Sequence, residues 1–319
     1  MRIYSDRIHV GRPTHVGPLS IFPLWSETKT SFQYVATQPQ GLAIGELEDP
    51  QVDTLQVRNQ STETVLIPEG TIVRGNRQTR ALARDILVAP RQARRMPVVC
   101  VEQGRWGDDT DASITGRVPV SVFGAIRDIN RDHVTDGRMR QSDVWSRVNR
   151  YERSYGSRMS NSLDSIVNDM DGDRIRGRED DSQVDRLRNT REEMWSQISR
   201  MAANPLAGQN GVMIGMLGHP VQVEFFADRA AFRAQLTAMF RAALTDGAII
   251  PVIPTSTRNA HLFADAIMDN ELTFASNGSR LLRGGDSLVD IRSYAHRLDN
   301  FAALHTGVVN RRHELVLAS

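Results

Sequence analysis

Apolar and polar residues alternate along the first third of the chain. Residues 52–58 read VDTLQVR, with Leu55 and Val57 on one face and Thr54 and Gln56 on the other, the period-two pattern of a half-buried strand. Asn59, Gln60 and Ser61 supply turn chemistry, and residues 63–67 predict a return strand. Pro68, Glu69 and Gly70 predict a further turn before a strand over 71–74, and short apolar runs follow at 86–89 and 97–102. Strands this short and this closely spaced predict an antiparallel sandwich or barrel rather than a parallel sheet.

From about Val122 to Ala203 helical spacing replaces alternation. Val144, Val148 and Tyr151 recur at one helical face, and Val184, Leu187, Met194 and Ile198 at a second, less regular one. Between them, residues 157–182 contain the run NDMDGDRIRGREDD, which predicts a solvated loop or insert. The last third is mixed. Residues 211–216 and 221–226 flank Leu217-Gly218-His219-Pro220 and predict a hairpin. Asp228 is an N-cap candidate for a helix whose stripe is Phe232, Leu236, Met239 and Phe240. A short helix is expected over 259–268, a loop over 276–286 and a strand over 314–318. The expected class is therefore α+β. It comprises a β-rich lobe (1–121) built as a sandwich or barrel, a helical segment with a charged insert (122–205), and an α/β lobe (206–319). The two lobes either pack as one domain or stand separately.

Composition narrows the function. With 319 residues, 40% hydrophobic and 24% charged, the chain can bury one large or two ordinary cores. A net charge of +1 gives no overall push toward nucleic acid or membrane, and no apolar run is long enough to span a bilayer. Residues 1–24 are interrupted by Arg2, Asp6, Arg7 and prolines, unlike a signal peptide. Cys100 is the only cysteine, so an intrachain disulfide and a multi-thiolate zinc site are excluded and a cytoplasmic location is expected. Lys29 is the only lysine. Positive charge is thus carried by arginine, which grips carboxylates and phosphates with a two-pronged fork, and lysine-based Schiff-base chemistry has almost no candidate.

Three constellations carry candidate chemistry. In residues 68–80, PEGTIVRGNRQTR, two glycines bracket a short strand and a polar run follows. The glycine spacing resembles a phosphate-binding loop, but Asn76 and Arg77 stand where Lys and Ser/Thr would be required, so that motif is rejected. Glu69, Asn76, Gln78 and Arg80 remain as polar groups at a strand end, against the simpler reading of turn glycines and surface arginines. In residues 100–106, CVEQGRW, alternation places Cys100 and Glu102 on one face, while Gly104 lets Arg105 and Trp106 gather at the strand exit. A carboxylate, a guanidinium and an indole together suit a planar, charged ligand; the competing reading is a buried Glu102–arginine pair lidded by Trp106. In residues 141–145, QSDVW, Gln141 lies one helical turn before Trp145, an arrangement that equally serves to anchor a helix. Asp169, Asp171 and Asp173 alternate like a calcium loop, but Arg174 replaces the required glycine. The histidines show no metal-ligand spacing and there is no dinucleotide fingerprint, so neither metal nor cofactor is expected.

The segments "IFPL" (21–24), "GELEDPQVDTLQVRNQSTETVLIPEGTIVRGNRQTRAL" (45–82), "PVVCVEQGRW" (97–106), "QSDVW" (141–145) and the 211–240 hairpin-plus-helix resemble, in this order, the ARG and rhodanese-phosphatase-superfamily-associated protein domain family. The Cys-Val-Glu-x-x-Arg-Trp element is the most specific part. The family's association with ADP-ribosylglycohydrolases and rhodanese-like phosphatases implies a link to NAD- or ADP-ribose-related metabolism. The expected function is binding or processing of a phosphorylated, nucleotide-like small molecule. In it Arg80 and Arg105 would take anionic oxygens, Trp106 would stack, Asn76, Gln78 and Gln141 would bind, and Glu69 or Glu102 would act as acid or base. The alternative is a non-catalytic module that assembles with partner proteins. No membrane partner is expected, and the sequence carries no strong nucleic-acid signal.

Overall fold

The computed structural model describes residues 8–27, 30–75, 78–102, 112–129, 137–155, 162–168, 182–275, 280–296 and 302–317. In chain order the strands of the first part are β1 (His9–Val10), β2 (Thr14–Val16), β3 (Leu19–Trp25), β4 (Leu42–Gly45), β5 (Thr54–Asn59), β6 (Val65–Ile67), β7 (Thr71–Arg74), β8 (Arg80–Leu82), β9 (Ile86–Val88), β10 (Gln92–Cys100) and β11 (Ser113–Arg117). Four helices follow: α1 (Val120–Ile129), α2 (Gly137–Tyr155), α3 (Leu163–Asn168) and α4 (Ser182–Ala203). The last part holds β12 (Gly211–Met216), β13 (His219–Phe226), α5 (Arg229–Gly247), α6 (Thr257–Met268), β14 (Leu272–Phe274), β15 (Leu281–Gly285), β16 (Val289–His296), β17 (Ala302–Asn310) and α7 (Glu314–Leu317). The class is α+β with antiparallel sheets. No helix among the described residues is long and apolar enough to cross a membrane.

The chain forms two compact units. The first is assembled from residues 1–37, 198–237 and 250–318, and the second from 38–197 and 238–249. The first unit is built on a nine-stranded sheet ordered β1-β3-β12-β13-β17-β16-β15-β14, with β2 paired to β3. The N-terminal strand β3 thus lies against β12 in antiparallel register, Met213 opposite Phe22. Alternation sorts the two faces. Phe22, Met213, Val223, Val308 and Ile291 stand in one row across five strands, all buried in a core that α6 covers with Ala260, Phe263, Ala264 and Ile267. The row continues through Gly284, opposite Ile291, to Leu272 on β14, and a Cβ at Gly284 would come within 2.1 Å of the Leu272 side chain. Helix α6 starts where Ser256 accepts a hydrogen bond from the Asn259 amide, and α5 starts where Asp228 accepts one from Ala231 at 2.7 Å, both as N-caps. The β12–β13 hairpin turns at Leu217 and Gly218, both with positive φ, the backbone of a tight primed turn.

The second unit is built on a six-stranded antiparallel sheet ordered β11-β7-β8-β10-β5-β4. A bridge between Ile44 and Ala112 joins its two edges, so the sheet curls into a half-barrel, the barrel-like arrangement that the short strands predict. Strands β6 and β9 pair separately, Leu66 opposite Leu87. Residues 63–67 are therefore not the return partner of β5, which instead lies between β4 and β10. Helix α2 buries Val144, Val148 and Tyr151, the stripe seen in the sequence.

Three other expectations change. The charged stretch 157–182 includes the short helix α3, whose Leu163, Ile166 and Val167 are buried; three apolar residues in an acidic run were enough to seat it. The 276–286 loop contains β15, paired with both β14 and β16. Of the segment expected as a strand, residues 314–317 form the helix α7 instead, because the His313 ring accepts a hydrogen bond from the Leu315 amide at 3.2 Å and starts a helical turn.

Candidate functional site

Four of the candidate residues meet where β8 and β10 end. Antiparallel register sets Cys100 directly opposite Arg80, so both side chains leave the same face of the sheet. Arg80 is fully buried. Both of its terminal nitrogens lie 3.1 Å from the carboxylate oxygens of Glu46, just past β4, while its Nε has no hydrogen-bond partner among the described residues. Two residues before Arg80, the buried Oε1 of Gln78 likewise has none. Glu102, two residues beyond Cys100, is buried and accepts a hydrogen bond from the Thr79 amide at 2.8 Å. The Thr79 and Ser162 hydroxyls pair at 3.1 Å, and a β-bridge links Glu102 to Ser162. Helix α2 closes the group: Gln141 donates to the Cys100 carbonyl at 2.7 Å.

The thiol of Cys100 is buried and donates to the Glu102 carbonyl at 2.9 Å. Burial pushes its pKa up, against the opposing pull of that hydrogen bond, the neighbouring Trp145 indole and the Arg80 charge. The indole N–H stands beside the thiol without a well-aligned acceptor. Cys100 is thus held as a neutral thiol rather than an activated thiolate.

Glu69 is not part of this group. It stands before the start of β7, whereas Gln78 and Thr79 follow its end, and the adjoining Gly70 amide bonds to Leu82 at the far end of β8. Its carboxylate is buried against the Arg127 guanidinium at 3.1 Å, and Arg127 in turn lies over the Phe123 ring. Gly70 has φ +77, and a Cβ there would meet that ring at 2.8 Å, so glycine is required by both backbone and space. Asn76, Arg105 and Trp106 lie outside the described residues.

Some of what surrounds the site has a signal in the sequence and some has none. Glu46 sits in the quoted GELED run but was not singled out, although a buried arginine such as Arg80 requires an acid. A second buried polar network has no local signature at all. The Asp246 carboxylate near the end of α5 accepts from the Val120 amide at 2.7 Å and from the Tyr151 hydroxyl. It thereby caps the first turn of α1 from a distant helix, and Tyr151 also bonds to Ser121. Burial raises the pKa of Asp246, opposed by these donors. Among the described residues, no group of three or more His, Cys, Asp or Glu side chains is placed to hold a metal ion.

The chain is an α+β protein whose curled sheet gathers buried polar side chains at one strand end. A family model for the ARG and Rhodanese-Phosphatase-superfamily-associated Protein domain matches residues 7–279. The chain belongs to that family, as the segments quoted above imply. No curated protein and no solved structure matches it.

Proposed function

We infer that the polar cluster at the ends of β8 and β10 binds a phosphorylated, nucleotide-like small molecule, of the kind met in NAD- or ADP-ribose-related metabolism. The observation that carries this reading is the state of Arg80: a wholly buried guanidinium with one carboxylate partner and an Nε that no acceptor meets. Buried donors are ordinarily satisfied, and an unmet one calls for a water, an ion or a ligand acceptor to complete it. Gln78 adds an unmet acceptor next to it. Asn76 precedes this pair in sequence, and Arg105 and Trp106 follow Glu102 by three and four residues, which supplies further groups for anionic oxygens and a ring for stacking. Glu102 is the acid–base group of this reading; Glu69, sealed against Arg127, contributes to the fold.

Calorimetry with NAD, ADP-ribose and related nucleotides tests it. Binding of at least one of them, weakened about tenfold or more by Arg80→Gln, is the expected result, in line with the loss of a charge-assisted bond. No heat with any of them overturns it. The burial of both Glu69 and Glu102 favours a second reading, a non-catalytic module that assembles with a partner protein, and a silent nucleotide panel would bring that reading forward.

A further inference from the structure

The second unit has no overall excess of positive charge, but it gathers exposed arginines in one place. Arg58 on β5 and Arg91, Arg94 and Arg95 at the start of β10 are all exposed. None of the four forms an ion pair with a described residue. Register places Ala93 opposite Arg58 and Arg95 opposite Gln56, so Arg58 and Arg95 are diagonal neighbours on one face of the sheet. Arg94 stands opposite Val57 and leaves the other face, yet every residue from 91 to 95 is exposed, so the first half of β10 is open on both sides. A fifth exposed arginine, Arg84, adjoins Ala83, whose amide bonds to Pro97 in the middle of β10.

Two of these guanidinium groups are held by neutral residues. Gln56 accepts from Arg58 Nε at 2.7 Å, and Gln92 accepts from Arg94 Nη2 at 3.1 Å. Each glutamine sits two positions earlier on the same strand. It orients the cation and leaves the charge whole. Like charges gathered on neighbouring strands repel and destabilise a sheet, so fold stability does not account for this arrangement.

We propose that this arginine patch, which reaches round both sides of the open first half of β10, binds the phosphate backbone of duplex nucleic acid. Arginine forks match phosphate oxygens in bidentate fashion. Strands β4, β5 and β10 carry no aromatic residue, whereas single-strand binders rely on stacking platforms; the contact is with the backbone and independent of base sequence. An acidic protein partner fits less well, because protein interfaces centre on large buried anchors and the exposed side chains beside these arginines are Ala43, Ala93 and polar groups.

The test is fluorescence anisotropy of a labelled mixed-sequence duplex of about 20 base pairs, titrated from about 50 to 200 mM salt. The expected result is binding whose log–log salt slope is about −3 to −4 for four phosphate contacts. Changing Arg58, Arg91, Arg94 and Arg95 together to Gln weakens it about tenfold or more, and Arg95→Gln alone reduces the slope by about one. The charge-matched control, Arg186, Arg200, Arg229 and Arg233 all to Gln, leaves affinity within about twofold. All eight side chains are exposed, so each variant keeps its melting temperature. The proposal is overturned by absence of duplex binding at 50 mM salt, by equal losses in the two quadruple variants, by tighter binding of a single-stranded oligomer, or by displacement of the duplex by a glutamate-rich peptide at lower concentration.

Discussion

The two units stabilise their interiors in different ways. In the first, a row of apolar side chains crosses five strands and is covered by α6. In the second, arginines 80, 117, 127, 147 and 191 are buried alongside Glu69, Asp85, Glu102, Asp164 and Asp246. An apolar core rewards any packing of about the right volume, and loses uniqueness before it loses stability. A charged interior rewards only arrangements in which every ion meets its partner, because a stranded buried charge is far more costly than the pair is beneficial. The apolar row of the first unit is therefore tolerant of conservative change, and the buried ion pairs of the second are not. The second unit also holds Arg80 Nε and Gln78 Oε1, for which no described residue supplies a hydrogen-bond partner.

Breaking one ion pair sharpens this contrast most. Arg127→Ala removes the buried guanidinium that pairs with Glu69 and is expected to cost about 3–5 kcal/mol, whereas the double change Glu69→Gln with Arg127→Met recovers much of the loss. Urea unfolding of the three proteins decides it, and a single variant within 1 kcal/mol of wild type contradicts the charged-core account. In the apolar unit, Ile291→Ala removes one member of the row and should cost about 2–5 kcal/mol, while Ile291→Val costs only about 0.5–1.5. If the two variants prove equal, the row is not close-packed. Glu102→Ala strands the buried Thr79 amide and is expected to cost about 1–3 kcal/mol, with Glu102→Gln, which keeps an acceptor, close to wild type. Ser256→Ala removes the cap of α6 at about 1 kcal/mol; an unchanged melting temperature would mean that water replaces the hydroxyl.

The smallest expected effect depends on pH. His313 is buried, its Nε2 donates to the Met216 carbonyl at 2.9 Å, and its Nδ1 accepts from the Leu315 amide. Both bonds together require the neutral ring. Burial, the largest influence, lowers its pKa below the usual 6.5. The unfolded chain thus takes up this proton first, and the contribution of His313 is present above pH 6.5 and declines as the pH falls through the folded value. His313→Gln should flatten that acid limb of the stability curve, and an unchanged limb would assign it to other groups.

The sequence made periodicities legible and partnerships much less so. Alternation at Leu55 and Val57 located β5, but nothing in those residues says that β4 and β10, rather than residues 63–67, lie beside it. That choice is made by long-range register, which depends on packing between segments far apart in the chain. The same limit governs the site. Polar clustering singles out Gln78, Arg80 and Glu102, and helical spacing before Trp145 singles out Gln141; the structure brings the four together. Glu69 was named by the same reasoning, yet it lies at the other end of β7, paired with an arginine fifty-eight positions away. Helix α7 was hidden because ELVL is compatible with either period, and the deciding group, the His313 ring, lies outside the segment. The Asp246 cap was hidden for a related reason: a helix capped from a distant element leaves no mark in its own flanking residues.

The pairing of β3 with β12 has a consequence for biosynthesis. These strands are hydrogen-bonded neighbours separated by about 190 residues of chain. At ~5–20 residues per second, β3 emerges roughly 10–40 s before its partner exists. During that interval β1 and β2, already synthesised, can pair with LSIFPLW, but the edge that β12 later covers is open, the condition in which strands associate with the wrong chain. Almost the whole of the second unit is translated in the same interval. Its residues can fold while β3 waits, so the exposure that sequential synthesis imposes falls on the first unit rather than the second.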